Sequence, residues 1–358
     1  MTMVIDGTNG LTFPAGSSQL QAGNYQSMVN RIINGRMEID QRALGTWTNT
    51  TSDTYTLDRW QFGSSQASKF TAQQSSTAPT GFINSMLITS SSAYTVGASE
   101  TFNLIQRIEG LNCTDLAWGS ASAQTVTLSF WVRSSLTGTF GGALTNSAFN
   151  RSYPYSYTIS SANTWEYKTV TIAGDTSGTW LTTNGVGVYL GFSMGAHSGS
   201  TTTAGSWGST TYYGVTGQTN IVATSGATWY VTGVQFEVGT AATPFERRLY
   251  GHELDLCQRD FFKVTNRGSR WLQTSSISSG NMYGTIPFQV NMRAVPTASV
   301  PSTTTFDIWG VGNPTTIALD DATTEWAVIK FTKSTLTNYY AYVLSGDGGS
   351  TFQFSAEL

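Results

Sequence analysis

Three tyrosines, Tyr153, Tyr155 and Tyr157, occupy alternate positions in one short stretch of the sequence. In an extended segment, such residues share one face. Pro154 cannot donate a hydrogen bond to a β-ladder, so it favours an edge strand or a loop, where the rings would be accessible. Sugars stack their C–H faces on aromatic rings, and asparagine, glutamine and aspartate bind their hydroxyls. The spacing therefore predicts a glycan-binding face.

A second aromatic group, Trp207, Tyr212 and Tyr213, lies in a long polar loop that we expect over residues 196–217. Long loops on a rigid β-scaffold commonly carry binding residues, so this group is a second candidate glycan site. The alternative for both groups is that the rings fill the core or a contact between subunits. Cores, interfaces and glycan platforms use the same residue types, and the sequence leaves this choice open.

Histidine is too scarce for most catalytic arrangements, since His197 and His252 are the only two. A Ser-His-Asp triad needs an oriented histidine, and neither G-x-S-x-G nor H-E-x-x-H occurs in the chain. Two histidines without a cysteine cluster do not support a zinc site. We therefore expect no catalytic residue, no metal and no cofactor, with calcium in an oxygen-rich loop left open.

Paired carboxylates could hydrolyse a glycosidic bond, because that reaction uses two of them. Two of the pairs have a structural alternative, an ion pair between Asp58 and Arg59 and turn formation at Asp320 and Asp321. We expect binding without bond cleavage. The pairs considered are Asp53 with Asp58, Asp320 with Asp321, and Glu109 with Asp115.

The composition excludes several classes of protein. Charged residues are 11% of the 358, against roughly 25% in typical soluble domains, and the net charge is -3. Binding to a phosphate backbone needs clustered lysine and arginine, so we expect no nucleic-acid partner. No apolar run is long enough to insert into a membrane. Aromatic residues at 13% argue against disorder. Two cysteines make no disulfide scaffold, and we expect Cys257 to be a buried thiol.

Alternating apolar residues indicate strands across residues 57–238, separated by glycine, asparagine and serine. The clearest strand covers residues 125–133. About eight to ten strands predict a mostly β protein with a jelly-roll-like β-sandwich over residues 26–246. We expect long loops at residues 137–152 and 196–217.

A connecting amphipathic helix is expected over residues 247–265. Tyr250, Leu254, Cys257 and Phe261 fall at spacings of four, three and four, which is one stripe of a helix.

Residues 266–358 form a second β-rich part, which predicts a small C-terminal β-sandwich or barrel. Trp271, Trp309 and Trp326 are its expected core residues.

The N-terminal segment, residues 1–25, contains Val4, Ile5, Leu11 and Phe13 but too few apolar residues for a core of its own. These four residues are candidates for docking to another copy or to a larger particle, with a frayed terminus as the alternative.

Several blocks of the sequence resemble bacteriophage tail-fibre and virion-surface proteins. VTGVQFEVG, ATPFERR and ELDLCQRDF follow one another within residues 231–261, and NRIINGRMEIDQR, DRW, PFQVNMRAVPTASV and FSAEL resemble further blocks. The resemblance implies a jelly-roll-like sandwich followed by a small C-terminal β module, commonly in a homotrimer. It carries no catalytic residue over to this chain.

The resulting hypothesis is a phage virion structural protein of the tail-fibre type. It would attach by its N-terminus to other tail or virion proteins and bind host surface glycan non-catalytically. MTMVIDGTNG lacks the features of a secretory signal, as expected for a virion protein made in the host cytoplasm. One alternative is a decoration, head-fibre or tail component with no receptor role. Another is the carbohydrate-binding part of a polysaccharide-degrading enzyme.

Overall fold

The computed structural model describes residues 4–6, 10–12, 18–19, 28–265, 272–278, 280–337, 341–346 and 351–358. Its N-terminal part is a three-stranded antiparallel sheet of β1 (Val4–Asp6), β2 (Gly10–Thr12) and β3 (Ser18–Gln19). Val4, Ile5 and Leu11 lie in β1 and β2, whereas Phe13 lies outside the described residues. No other described strand joins this sheet, and its docking role stays a prediction.

Fourteen strands follow before the helix, twelve of them in two six-stranded antiparallel sheets. The β10 sheet has the order β13-β10-β17-β8-β7-β4, and the β14 sheet has the order β12-β11-β14-β9-β6-β5. The remaining two, β15 and β16, form a short parallel pair. The strands are β4 (Trp47–Thr48), β5 (Thr54–Tyr55), β6 (Trp60–Ser64), β7 (Phe70–Ser75), β8 (Ser85–Ser90), β9 (Thr101–Glu109), β10 (Val126–Ser134), β11 (Gly138–Thr145), β12 (Ser152–Ile159), β13 (Glu166–Ile172), β14 (Val186–Ala196), β15 (Thr201–Thr202), β16 (Gly214–Val215) and β17 (Thr228–Val238).

The two six-stranded sheets enclose a common core. Alternate residues of β10 and β14 face each other across it, and Phe130 and Phe192 meet with ring centroids 5.1 Å apart. Apolar burial on this scale is the main stabilising term for a sandwich. The predicted fold, mostly β with a jelly-roll-like sandwich, is confirmed. The fully buried residues of these two strands include Val126, Leu128, Phe130, Val132, Leu190, Phe192 and Met194.

The prediction of a long loop over residues 137–152 is wrong, because β11 occupies half of this range. Glycines at positions 141 and 142 weaken a strand signal, but Gly142 allows β11 to approach β14 closely. A Cβ atom at Gly142 would lie 2.1 Å from the carbonyl oxygen of Gly191 in β14. The remaining loop covers residues 146–151.

Helix α1 (Tyr250–Gln258) has nine residues and is shorter than predicted. Phe261 lies instead in β18 (Phe261–Thr265), because this segment pairs with a C-terminal strand. The predicted apolar stripe is also incomplete, since Tyr250 is 58% exposed. Cys257 is a fully buried free thiol, as predicted. Short 3-10 helices cover Gly110–Leu116, Ser198–Ser200, Ile221–Ala223 and Thr303–Thr305.

The C-terminal part is a second β body, as the sequence predicts. Its sheets have the orders β18-β26-β21 and β22-β25-β19-β20-β24-β23. The strands after β18 are β19 (Leu272–Ser278), β20 (Asn281–Pro287), β21 (Thr297–Ser299), β22 (Phe306–Ile308), β23 (Thr316–Ala322), β24 (Trp326–Thr332), β25 (Ala341–Gly346) and β26 (Thr351–Ser355).

The prediction that Trp309 belongs to the core of this body is wrong. Trp309 is 60% exposed, because the buried Phe306 and Ile308 hold the inward positions just before it. Trp326 is half-buried, and Trp271 lies outside the described residues.

Buried ion pairs join the sandwich to the C-terminal body. The Arg59 guanidinium lies 2.9 Å from Asp260 and also pairs with Glu357. The predicted Asp58–Arg59 pair is wrong, since Asp58 lies 3.8 Å from Arg42 instead. Burial raises the pKa of Asp58 to about 6 and that of Asp260 to about 7. The joint is therefore polar and sensitive to protonation.

Candidate functional site

The three alternating tyrosines face the core. Their strand, β12, lies at the edge of its sheet, as the proline predicts. Yet Tyr155 is 1% exposed, and Tyr153 and Tyr157 are 7% and 6% exposed. The Tyr155 hydroxyl donates to the carbonyl of Gly191 at 2.9 Å, and the Tyr157 hydroxyl accepts from Trp229 Nε1 at 3.1 Å. The predicted accessible face for sugars is therefore wrong, because an edge strand of a sandwich still has one face covered by the opposite sheet.

Trp207 and Tyr212 are half-buried. The Trp207 ring packs edge-on against Trp118 and Trp180, with centroids 5.3 Å away in both cases. The Tyr212 amide donates to the Ser152 hydroxyl at 3.2 Å. These contacts give both residues a structural role, and their predicted role in glycan binding stays a prediction.

Tyr213, the last of the predicted residues, lines a cleft of about 280 Å³ on the outer face of the β14 sheet. We call it the outer cleft. Its volume lies near the lower end of the roughly 300–1,000 Å³ range of small-molecule sites.

The floor of the outer cleft is low because a glycine and an alanine occupy adjacent outward positions on β14 and β11. Ile105 of β9 pairs with Gly191 of β14, which pairs with Ala143 of β11. Gly63 of β6 extends this floor. A Cβ atom at Gly191 would meet only ordinary contacts, the Ala143 carbonyl oxygen at 3.5 Å and Ile105 Cγ1 at 3.9 Å. The glycine therefore leaves space for a ligand, which is one meaning of glycine within a strand.

An aromatic wall rises beside this floor. Arg107, Tyr189 and Thr145 form the next outward row of the same three strands. Phe149, from the loop of residues 146–151, packs on Tyr189 with ring centroids 4.8 Å apart and planes inclined by 38°. Phe149 is still 43% exposed, so part of its ring can contact a ligand.

The loop that carries Phe149 is fixed by its own hydrogen bonds. Phe149 has a φ of 52°, an uncommon value for a bulky residue. The Asn146 carboxamide oxygen accepts from the amides of Asn150 and Arg151, both at 3.1 Å. The Phe149 amide donates to the Asn146 carbonyl at 3.1 Å. Backbone strain at a held position often accompanies a functional site.

Polar groups line the rest of the outer cleft. Arg107 Nη2 donates to Asp53 Oδ2 at 3.1 Å, and Arg107 lies 5.4 Å from the centre of the Tyr189 ring. Asn103 and neighbouring serine and threonine residues add uncharged hydrogen-bonding groups. Partial burial raises the pKa of Tyr213, with smaller contributions from Asp53 and Tyr189. The Tyr213 hydroxyl therefore stays protonated at neutral pH and can donate a hydrogen bond.

Sequence reasoning found Tyr213 but missed the residues that accompany it. In the sequence, Asp53 is a candidate only as a partner of Asp58, and Arg107, Phe149 and Tyr189 are not among the candidate residues. One signal was present in β14, where Tyr189 and the small Gly191 alternate with buried apolar residues. The facing strands, which complete the site, could not be read from that strand alone.

The candidate catalytic carboxylates are held in ion pairs or lie exposed on a strand. Glu109 pairs with Arg259 at 3.2 Å, Asp115 pairs with Arg31, and Asp320 and Asp321 are exposed in β23. No group of three His, Cys, Asp or Glu side chains in the described parts is arranged to hold a metal ion. In the same parts, no helix has the length and apolar character needed to cross a membrane.

No family model matches the sequence, and no curated protein matches it. Several solved structures with β-sandwich folds align with part of this chain. The enzymatically active domain of a bacteriophage CBA120 tailspike protein aligns with 59% of this chain at 11% identity and a TM-score of 0.35, and the match spans 22% of the tailspike chain.

Two further matches are sugar-binding folds. A proposed sugar-binding protein of Bacteroides thetaiotaomicron is covered completely by 59% of this chain, at 14% identity and a TM-score of 0.36. A family 11 carbohydrate-binding module of Clostridium thermocellum is 99% covered by 56% of this chain, at 15% identity and a TM-score of 0.28. Similarity this weak carries no functional conclusion, which has to come from the outer cleft itself.

Proposed function

We propose that the protein binds a glycan in the outer cleft and does not cleave it. The observation that supports this most is the pairing of an exposed aromatic wall, Phe149 on Tyr189, with a floor of Gly191 and Ala143. The wall offers a ring face to sugar C–H groups, and the low floor lets a pyranose ring approach the sheet. The surrounding amide, hydroxyl and carboxylate groups suit sugar hydroxyls.

Binding without cleavage is supported by the charges in the outer cleft. Asp53 is the one carboxylate among its lining residues. Glycoside hydrolysis uses two carboxyl groups, about 5–10 Å apart, on either side of the scissile bond. The site lacks the second group, so the hypothesis of a polysaccharide-degrading enzyme would require a catalytic part elsewhere.

The wider hypothesis is that the chain is a virion-surface protein of the tail-fibre type. It is supported by the sequence blocks that resemble such proteins. In it, residues 1–25 dock to the particle, residues 26–246 form the sandwich, residues 247–265 connect, and residues 266–358 form the C-terminal module. A homotrimer would present three clefts, and linked weak sites become a tight one through effective concentration.

A purely structural role is the second candidate. The burial of Tyr153, Tyr155 and Tyr157 favours it, because these rings were half of the predicted glycan platform. A decoration, head-fibre or tail component would use the remaining surface for contacts with neighbouring subunits. The two candidates differ in whether the outer cleft binds sugar.

Filling the floor of the outer cleft tests the proposal. Gly191→Leu places a large side chain in a cleft of about 280 Å³ without a backbone clash. We expect affinity for polysaccharide, measured by affinity electrophoresis against a panel of neutral and acidic polymers, to fall at least about tenfold. Gly251→Leu is the matched control, because Gly251 is exposed on α1 with nothing within 4 Å of its Cβ position.

If a polysaccharide in the gel slows Gly191→Leu as much as it slows the unaltered protein, the outer cleft is not the binding site. An absence of binding to every polymer would favour the structural role. Urea unfolding of both variants checks that the sandwich is intact.

A further inference from the structure

The charged groups of the outer cleft amount to one ion pair. Asp53 and Arg107 are the charged side chains among its lining residues, and they lie 3.1 Å apart. Their formal charges cancel. A ligand that carries its own charge therefore meets no excess of the opposite charge in the cleft.

The two partners are unequally accessible. The Asp53 side chain is 58% exposed and that of Arg107 is 19% exposed. Arg107 Nη2 donates to Asp53, and Nη1 donates to a main-chain oxygen of Leu358, which does not line the cleft. The Arg107 Nε atom is buried. A ligand entering the cleft thus contacts the carboxylate of the pair more readily than the guanidinium.

The exposed carboxylate of Asp53 also lies close to the floor of the outer cleft. The Cβ position of Gly63 lies 3.4 Å from Asp53 Oδ1, the oxygen that Arg107 does not bind. An ionised carboxylate only accepts hydrogen bonds, so this oxygen suits a hydroxyl group and repels another anion. At about 4 Å in water, repulsion between two unit charges is worth about fivefold in affinity, and more near a protein surface.

We propose that the outer cleft selects neutral, hydroxyl-rich glycans and discriminates against uronic, sialic and sulfated ones. The selection rests on the proposed glycan-binding function and adds its chemical class. Asp53 sets the preference by accepting hydroxyl groups and repelling anions. Arg107 is a positioning residue, which holds Asp53 over the floor and limits the negative potential.

The test compares neutral with acidic polymers on the intact protein. The neutral probes are mixed-linked β-glucan, xylan and dextran, and the acidic probes are polygalacturonate, alginate and polysialic acid. Affinity electrophoresis and titration calorimetry give a dissociation constant for each. We expect neutral polymers to bind up to about fivefold tighter than acidic ones at low salt, because Arg107 compensates part of the Asp53 charge. The ratio should fall as salt screens the repulsion.

Two variants should move this ratio in opposite directions. Asp53→Asn removes the exposed negative charge, so the affinity for acidic polymers should rise relative to the affinity for neutral ones. Arg107→Gln leaves the Asp53 charge uncompensated, so the ratio should widen. A merely structural role would weaken both classes of polymer together and leave the ratio unchanged. Asp320→Asn is the control, because it removes the same charge from an exposed position in β23.

The outcomes separate this inference from the proposed function. Acidic polymers that bind as tightly as neutral ones, or tighter, would overturn the selectivity while leaving glycan binding intact. A ratio that stays unchanged in Asp53→Asn would overturn the role of Asp53. If no polymer of either class binds, the proposed function itself fails.

Discussion

Raising the pH from 5.0 to 7.5 should lower the stability of the protein because of Asp58. Its carboxyl group is fully buried, and burial raises its pKa to about 6 from an unperturbed 3.8. Arg42 and two hydrogen bonds from Gln41, at 2.7 and 2.6 Å, oppose part of this rise. The protein must therefore ionise a carboxyl group away from water as the pH increases.

The sign follows from the direction of the shift. A folded pKa above the unfolded one means that the folded state holds its proton more tightly. The stabilisation is complete below about pH 4 and is lost as the pH rises through about 6. The full difference of about 2 pKa units corresponds to about 3 kcal/mol, of which about 1.4 kcal/mol falls between pH 5.0 and 7.5. Asp260, with a pKa raised to about 7, contributes in the same direction.

Carboxyl groups with lowered pKa values act the other way but at lower pH. Glu100 and Glu166 are the described examples, and their pKa values lie below the usual range. In the folded state they are ionised throughout the window from pH 5.0 to 7.5, and in the unfolded state they are mostly ionised, so they add only a small opposite slope near pH 5.

Equilibrium urea unfolding, followed by tryptophan fluorescence at several pH values, measures the effect. The midpoint should fall between pH 5.0 and 7.5, and Asp58→Asn should have a shallower slope because it removes one of the two titrating groups. Asp320→Asn, at an exposed position, should keep the slope of the unaltered protein. A midpoint that is level or rises across this window would refute the reasoning, as would an Asp58→Asn slope equal to that of the unaltered protein.

Two further predictions concern the core. Tyr155→Phe leaves the buried carbonyl of Gly191 without the hydroxyl that donates to it. It should lower the free energy of unfolding, measured by urea titration, by about 1–2 kcal/mol. An unchanged value would mean that this hydrogen bond makes no net contribution to stability. Cys113 and Cys257 should resist a thiol reagent in the native protein and react in urea, because both are buried and burial raises the pKa of Cys113 to about 12; rapid labelling without denaturant would contradict their burial.

The sequence predicted well those features that depend on local periodicity. The strand at Val126–Ser134 was predicted at residues 125–133, because its side chains alternate between apolar and polar. Pro154 indicated an edge strand, and β12 lies at the edge of its sheet. The connecting helix was located correctly but ended too late in the prediction. An apolar residue at helical spacing, Phe261, is buried equally well from a strand once β26 pairs with it.

The candidate site was predicted only in part, because most of it is assembled across strands. Tyr213 was found from its place in a long aromatic loop. Arg107, Tyr189 and Thr145 belong to three strands separated by many residues, and they become neighbours through the pairing of β9, β14 and β11. The low floor could not be predicted for the same reason. Whether a glycine within a strand leaves space for a ligand depends on the residues paired with it on neighbouring strands.

The sequence by itself determined that this is a mostly β protein of sandwich type, and that Tyr153, Tyr155 and Tyr157 share one face. The period of two along a strand requires both conclusions. Only the tertiary structure decided which face meets the opposite sheet. Alternation is symmetric with respect to the two faces of a strand, and large rings suit either a core or a sugar. The β10 sheet, together with Trp207 against Tyr153, buried the three tyrosines. The opposite face of the β14 sheet, with Tyr189, Gly191 and Arg107, is the surface open to a ligand.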